Sequence, residues 1–239
     1  MLPAAKADII SKLQKDILLM QGFKPASNNS SNILALIKYA FPNAVFPVGA
    51  IHEFVCNNDE GSSASTGFIS GIVSSLMKKS GASLWITSSF QVFPPALKQF
   101  GIQPDNIIFI HIKKEKEILW CMEEALKSGA LSAVVAEIQN VTLIASRRLQ
   151  LAVENSGTTG FLLRKNPKSL ITSCVTRWKI TSLPSNCDTP GVGFPRWSVE
   201  LQKVRNGKPG AWQMEWRAGK FRFAYKPSSE AEDQQRKAG

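Results

Sequence analysis

Between residues 46 and 165 two kinds of apolar pattern alternate along the chain. FPVGAIHEFVC, SLWITS, NIIFIHI, LSAVVAEI and TTGFLLRK are short runs rich in β-branched and aromatic residues, the signature of buried strands. Among them lie three segments of helical period. In GFISGIVSSLMKKSG, residues Phe68, Ile69, Ile72, Val73, Leu76 and Met77 recur on one face, and Lys78, Lys79 and Gly81 form a good C-terminus. KEKEILWCMEEALKSG and TLIASRRLQLAVENSG follow the same rule, and ALKQFG reads as a helical turn. Parallel neighbours need crossover connections, so strands alternating with helices predict a parallel sheet covered on both faces. From about residue 170 the pattern changes. SCVTRWKITS, PRWSVELQKVRNG, GAWQMEWRAG and KFRFAY are extended segments broken by Gly, Pro and Asn, and NGKPG favours a hairpin.

Outside this region the chain divides further. Ile9, Leu13, Ile17 and Met20 share one face of an amphipathic helix within residues 1–23, and KPASNNSSN at 24–32 is a polar linker. The expected domain covers 33–226, with its late antiparallel strands from about 170. The tail, 227–239, is polar and aperiodic, as in disordered segments. No run approaches the ~18 uninterrupted apolar residues that span a bilayer, and the N-terminus lacks a signal-peptide core, so a cytoplasmic protein without membrane contact is expected. Cys56, Cys121, Cys174 and Cys187 show no zinc-ligand spacing and read as reduced thiols. His52 and Cys56 lie four apart, but on a strand pattern, and no metal is expected there.

Charge adds a question. The formal net charge is +11, and from Arg164 to Lys226 thirteen Lys/Arg face only Asp188, Glu200 and Glu215. The same stretch holds Trp178, Trp197, Trp212 and Trp216. Cations that displace counterions and aromatic faces that stack on bases would hold a polyanion. A basic β-sheet with core tryptophans fits equally.

Candidate chemistry centres on DEGSSASTGFIS, residues 59–70, between an apolar strand and a helix. Strand, Ser/Gly-rich loop and helix N-terminus form the setting in which backbone amides cradle phosphate. This loop has no lysine. The order of loop, helix, WITSS, FGIQPDNIIFIHI, helix, KSGALSAVVAEI, RRLQLAVENSG and TTGFLLRK resembles the core of the RecA recombinase family over roughly residues 33–224. The HEF segment, TRWKI and FPRWSVELQKVRNGKPGAWQMEW resemble more narrowly the RecA-like accessory proteins of bacterial error-prone repair. The resemblance implies an α/β fold: a RecA-like core with a mostly parallel sheet covered by helices, followed by antiparallel β-hairpins.

Carried over position by position, the family's G-x-x-x-x-G-K-[ST] places Asp59 at the first glycine, Ala64 at the second, Ser65 at the lysine and Thr66 at the hydroxyl, with Gly61 and Ser63 between. Only Thr66 matches. The lysine neutralises phosphate oxygens and the glycines let the backbone approach them. Here Asp59 and Glu60 would instead repel a nucleotide, by roughly 1–4 kcal/mol per charge pair at interfacial dielectric. The family's activating glutamate falls at about Ser89, which cannot act as a carboxylate base. Its Walker B acid corresponds to Glu137, for which a structural pairing with Arg147 or Arg148 is the other reading. The loop is therefore expected to be a lost nucleotide site with no cofactor and no catalytic residue, its helix capped by Ser63 or Ser65.

Recombinases contact DNA through loops after late strands, and here the connection is only about NPKSL. Any DNA contact is expected from Arg164, Lys165, Lys168, Arg177, Lys179, Arg196, Lys203, Arg205 and Lys208. The resemblance implies a non-catalytic adaptor of translesion DNA synthesis in the SOS response to DNA damage. Its partners would be an ImuB-like Y-family polymerase homologue, an error-prone polymerase α subunit and RecA. An active RecA-paralogue ATPase and a SulA-like inhibitor that acts by protein binding are the alternatives.

Overall fold

The computed structural model describes residues 12–13, 33–77, 81–88, 92–185 and 193–224. The expected linker, the C-terminal tail and nearly all of the N-terminal helix lie outside the described residues. Two short 3-10 segments, Ala35–Ala40 and Pro42–Ala44, lead into the first strand. The regular elements are β1 (Ile51–Cys56), α1 (Asp59–Met77), β2 (Ala82–Thr87), β3 (Ile107–His111), α2 (Glu115–Lys127), β4 (Leu131–Glu137), α3 (Leu143–Ser156) and β5 (Thr159–Lys165). They continue with β6 (Thr176–Leu183), β7 (Arg196–Val204), β8 (Gly210–Arg217) and β9 (Lys220–Phe223). ALKQFG falls in a 3-10 helix, Pro94–Phe100.

Local chemistry sets several boundaries. Thr142 caps α3 by accepting the Ala145 N–H at 3.1 Å, and Gly157 closes it with φ 81°, a conformation that costs glycine nothing. The sheet has nine described strands in the order β3-β2-β4-β5-β1-β6-β7-β8-β9. β1 to β6 are mutually parallel, and the antiparallel part begins between β6 and β7. The change of pattern near residue 170 thus marks β6, which still joins β1 in parallel register, His52 opposite Thr176.

Two apolar layers cover the sheet. On one face α2 and α3 bury Ile118, Met122, Leu126, Leu149 and Val153 against Leu84, Ile86, Val134, Ala136 and Leu162. On the other, α1 and the 3-10 segments pack on β1 and on β6–β8, where Phe54, Phe68, Trp178, Trp197 and Trp216 form one aromatic cluster. Trp178, Trp197 and Trp216 are buried, so the tryptophans of the basic third are core side chains, with Trp212 packed against the same cluster.

The small residues of α1 make this possible. A Cβ on Gly71 would lie 2.6 Å from Phe221 and 2.9 Å from Trp216, and one on Gly67 would lie 3.2 Å from Phe100. The aromatic rings of the hairpins rest on backbone. Replacing Gly71 with leucine is expected to lower stability by ~1–3 kcal/mol, the usual cost of overpacking. Urea titration of the full chain measures it, and an unchanged midpoint would refute the close packing.

Candidate functional site

In the structure the expected phosphate loop is helix. Only Asn57 and Asn58 separate β1 from α1, which begins at Asp59, so residues 59–66 form its first two turns. Asn58 caps it: its Oδ1 accepts the Gly61 N–H at 2.8 Å and its carbonyl accepts the Ser62 N–H at 3.1 Å. Ser63 and Ser65, expected as caps, do not fill that role. Ser63 is exposed at the start of the second turn, and Ser65 is fully buried with its Oγ unpartnered. The positions aligned with the second glycine and the lysine, Ala64 and Ser65, are both buried, Ala64 within the core cluster. Thr66 is half-buried, and its carbonyl accepts from Ser70 Oγ at 2.7 Å.

The acidic first turn is occupied by the chain's own groups. Lys165, at the end of β5, places Nζ 2.5 Å from Asp59 Oδ1, and Ser182 on β6 donates to Glu60. Carboxylates at this end also suit the helix dipole. The Gly61 amide and both carboxylates of the first turn therefore have partners within the chain.

Beyond it a cleft opens at the C-terminal ends of the parallel strands, where α/β folds bind ligands. Two hollows of about 310 and 430 Å³ share Ser62 and Glu137 as lining residues. The first is walled by Val92, Phe93, Leu97 and Trp197, the second by Lys113, Glu115, Gln139 and Lys165. Glu137 ends β4 and accepts a hydrogen bond from Thr87 at 2.7 Å. Arg148, expected as its alternative partner, pairs instead with Glu123 at 2.7 Å. Ser89 lies outside the described residues.

No protein-family model matches the chain. Protein ImuA from two strains of Caulobacter vibrioides is 34% identical over 187 residues, which cover 72% of this chain and 77% of that protein. The chain belongs to the ImuA family. The crystal structure of the RadB recombinase superposes with a TM-score of 0.55 at 12% identity, covering 85% of this chain and all of that one, so the fold is RecA-like.

In this ImuA-family chain the basic third is largely engaged in holding the fold. Glu53 on β1, in the HEF segment, is fully buried and takes Arg164 Nη1 at 2.8 Å, Arg177 at 2.8 Å and Thr172 Oγ1 at 2.7 Å. Arg164, expected at a DNA interface, is fully buried on β5, which removes it from any polyanion face. The same cations fix the β5–β6 connection through its carbonyls. Arg164 donates to Ser169 O, Arg177 to Leu170 O, Lys203 to Thr172 O and Arg205 to Ser173 O. Arg196 donates to Pro184 O at 3.2 Å. Lys168, Lys179 and Lys208 are the exposed remainder of the expected set. Because Lys203 and Arg205 hold the connection, replacing Lys203, Arg205 and Lys208 together with glutamate is expected to lower the melting temperature. Were these charges plain surface groups, melting would not move.

The residues missed in the sequence are Glu53 and Asn58. Glu53 carried a signal, since a carboxylate within an apolar strand demands buried cations. His52 beside it is also structural. Its ring stacks on Phe46 and Phe161, with Nε2 2.9 Å from Pro47 O and Nδ1 2.7 Å from Thr176 Oγ1. Among the described residues no cluster of His, Cys, Asp or Glu could hold a metal ion, and no helix is long and apolar enough to cross a membrane. Cys56, Cys121 and Cys174 are free thiols, and burial pushes Cys174 up to about 12. Cys187 lies outside the described residues.

Proposed function

We propose that this chain is a non-catalytic RecA-fold adaptor of the translesion DNA synthesis machinery. The observation that carries the reading is the start of α1. A phosphate cradle needs free amides curling round the anion and a lysine reaching it, whereas here those residues are helical, capped by Asn58 and faced by Lys165 and Ser182 through Asp59 and Glu60. Membership of the ImuA family and the RecA-like fold support a role in damage-induced mutagenesis. The partners in this reading are an ImuB-like Y-family polymerase homologue and an error-prone polymerase α subunit, with RecA a further contact. The chain contributes surfaces and leaves the chemistry to them.

Co-elution of the full chain with the purified polymerase partners tests the reading. The complex is expected to form to the same extent with and without ATP and magnesium. Assembly that requires ATP would favour an active RecA paralogue instead. Restoring the family's lysine by Ser65→Lys is expected to leave ATP unbound and to reduce stability by at least ~2 kcal/mol, because the side chain starts from a core position. A Ser65→Lys variant that gains ATP binding would contradict it.

A further inference from the structure

The two edges of the sheet are built differently. β9 closes one end with four residues, KFRF, in which the exposed cations Lys220 and Arg222 guard against strand addition. β3 closes the other. Its sequence, IIFIH, holds no Lys, Arg, Asp, Glu or Pro, and it pairs with β2 without a bulge. Among the described residues no strand lies beyond it. The direction of its backbone groups follows from one hydrogen bond. Ile112 N–H donates to Thr87 O at 3.0 Å, so Ile112, Ile110 and Ile108 turn their N–H and C=O toward β2. Successive residues alternate, which turns those of Ile107 and Phe109 outward. The side chains alternate as well: Ile107 and Phe109 pack on the α1 layer, Ile110 and Ile112 on the α2–α3 layer. Ile108 belongs to the second face, where it is 51% exposed.

A row of outward N–H and C=O groups is completed by another β-strand. We propose that the β3 edge pairs antiparallel with the β3 edge of a second copy of this chain, joining two sheets into one. Pairing about Ile108 sets Ile107 of each copy opposite Phe109 of the other, so the outward groups of both exchange four N–H···O=C bonds. Ile108 then meets Ile108 of the second copy at the closely spaced position on the same face, and each covers the other. The charges at the strand ends fix the direction. Asp105 precedes β3 and Lys113 follows it, and both are exposed and outside the ion pairs of the described residues. Antiparallel order brings each Asp105 one diagonal step from the other copy's Lys113, within reach of a long side chain, whereas parallel order would put like charges together. The interface is isologous and closes at two copies. It goes beyond the adaptor reading and does not depend on it.

Sedimentation of the full chain from about 1 to 200 µM tests it, since an interface built on one short strand belongs to the weak, reversible class. The mass is expected to rise from one chain to two over that range and to stop there. A chain that stays monomeric, or one that grows past two copies, would overturn the proposal. Ile108→Lys changes an exposed position, so it is expected to leave the melting of the dilute chain unmoved while weakening the dimer tenfold or more. Undiminished association in that variant would place the contact elsewhere, as in the N-terminal segment, and would also overturn it. Charge reversal reads the direction of pairing. Asp105→Lys and Lys113→Asp are each expected to weaken self-association at least threefold. An equimolar mixture of these two single variants, or the double variant alone, is expected to regain wild-type strength, because each reversed charge then meets its opposite across the edge. Mixing that restores nothing would contradict the antiparallel order. A monomeric wild-type chain would leave the adaptor reading standing, whereas failure to co-elute with the polymerase partners strikes the adaptor reading and leaves the edge untouched.

Discussion

Replacing Glu53 with alanine is expected to destabilise the protein by ~3–5 kcal/mol, because it leaves the guanidinium of Arg164 buried without its counter-charge. Both side chains of that pair are fully buried, and Arg177 and Thr172 complete the shell around the carboxylate. The loss also spreads. Arg164 and Arg177 each hold a carbonyl of the β5–β6 connection, so a reoriented guanidinium releases Ser169 and Leu170 as well. Chemical denaturation of the full chain measures the effect. Replacing Glu53 and Arg164 together with methionine is expected to recover much of it, since an apolar pair carries no desolvation penalty. A loss below ~1 kcal/mol for Glu53→Ala would show that the network contributes little.

Acidification should act through His52. Burial, partly opposed by the Pro47 carbonyl that favours the protonated ring, lowers its pKa from 6.5 to about 3. Between those values the unfolded chain binds a proton that the native chain does not. Native stability is therefore full above pH 6.5 and falls as the pH drops, by at most about 1.4 kcal/mol per pH unit. The hydrogen-bond chain fixes the neutral tautomer. Nε2–H donates to Pro47 O, while Nδ1 accepts from Thr176 Oγ1, which itself accepts from Trp178 Nε1 at 2.7 Å. Urea midpoints between pH 7 and pH 4.5 should show a slope that His52→Gln reduces by roughly one proton. The same slope in both proteins would assign the acid sensitivity to other groups.

Much of the architecture was legible because the chain's periods switch cleanly. The strands IHEFVC, SLWITS, NIIFIHI, LSAVVAEI and TTGFLLRK and the helices ending at Gly129 and Gly157 lie where the apolar pattern and the glycines put them. The start of α1 was not legible. Ser/Gly-rich DEGSSAST has a weak helix propensity, and what winds it is a cap from Asn58 and contacts made by residues far along the chain, Lys165 and Ser182. The basic third misled for a related reason. Composition counts charges but does not show where side chains end, and Arg164, Arg177, Lys203 and Arg205 end on carbonyls and on a glutamate more than a hundred residues earlier. Of the two readings open for the tryptophans, burial of Trp178, Trp197 and Trp216 selects the core.

Nucleotide binding separates an adaptor from an ATPase most directly, and thermal unfolding of the full chain with millimolar ATP and magnesium reads it. A ligand that binds only the folded state at a hundred times its Kd adds about 2.7 kcal/mol of stability. With α1 wound through residues 59–66, Ser65 in the core and Asp59 held by Lys165, no shift in Tm and no phosphate release above buffer are expected. A rise of several degrees, or turnover that Glu137→Gln abolishes, would contradict the non-catalytic reading.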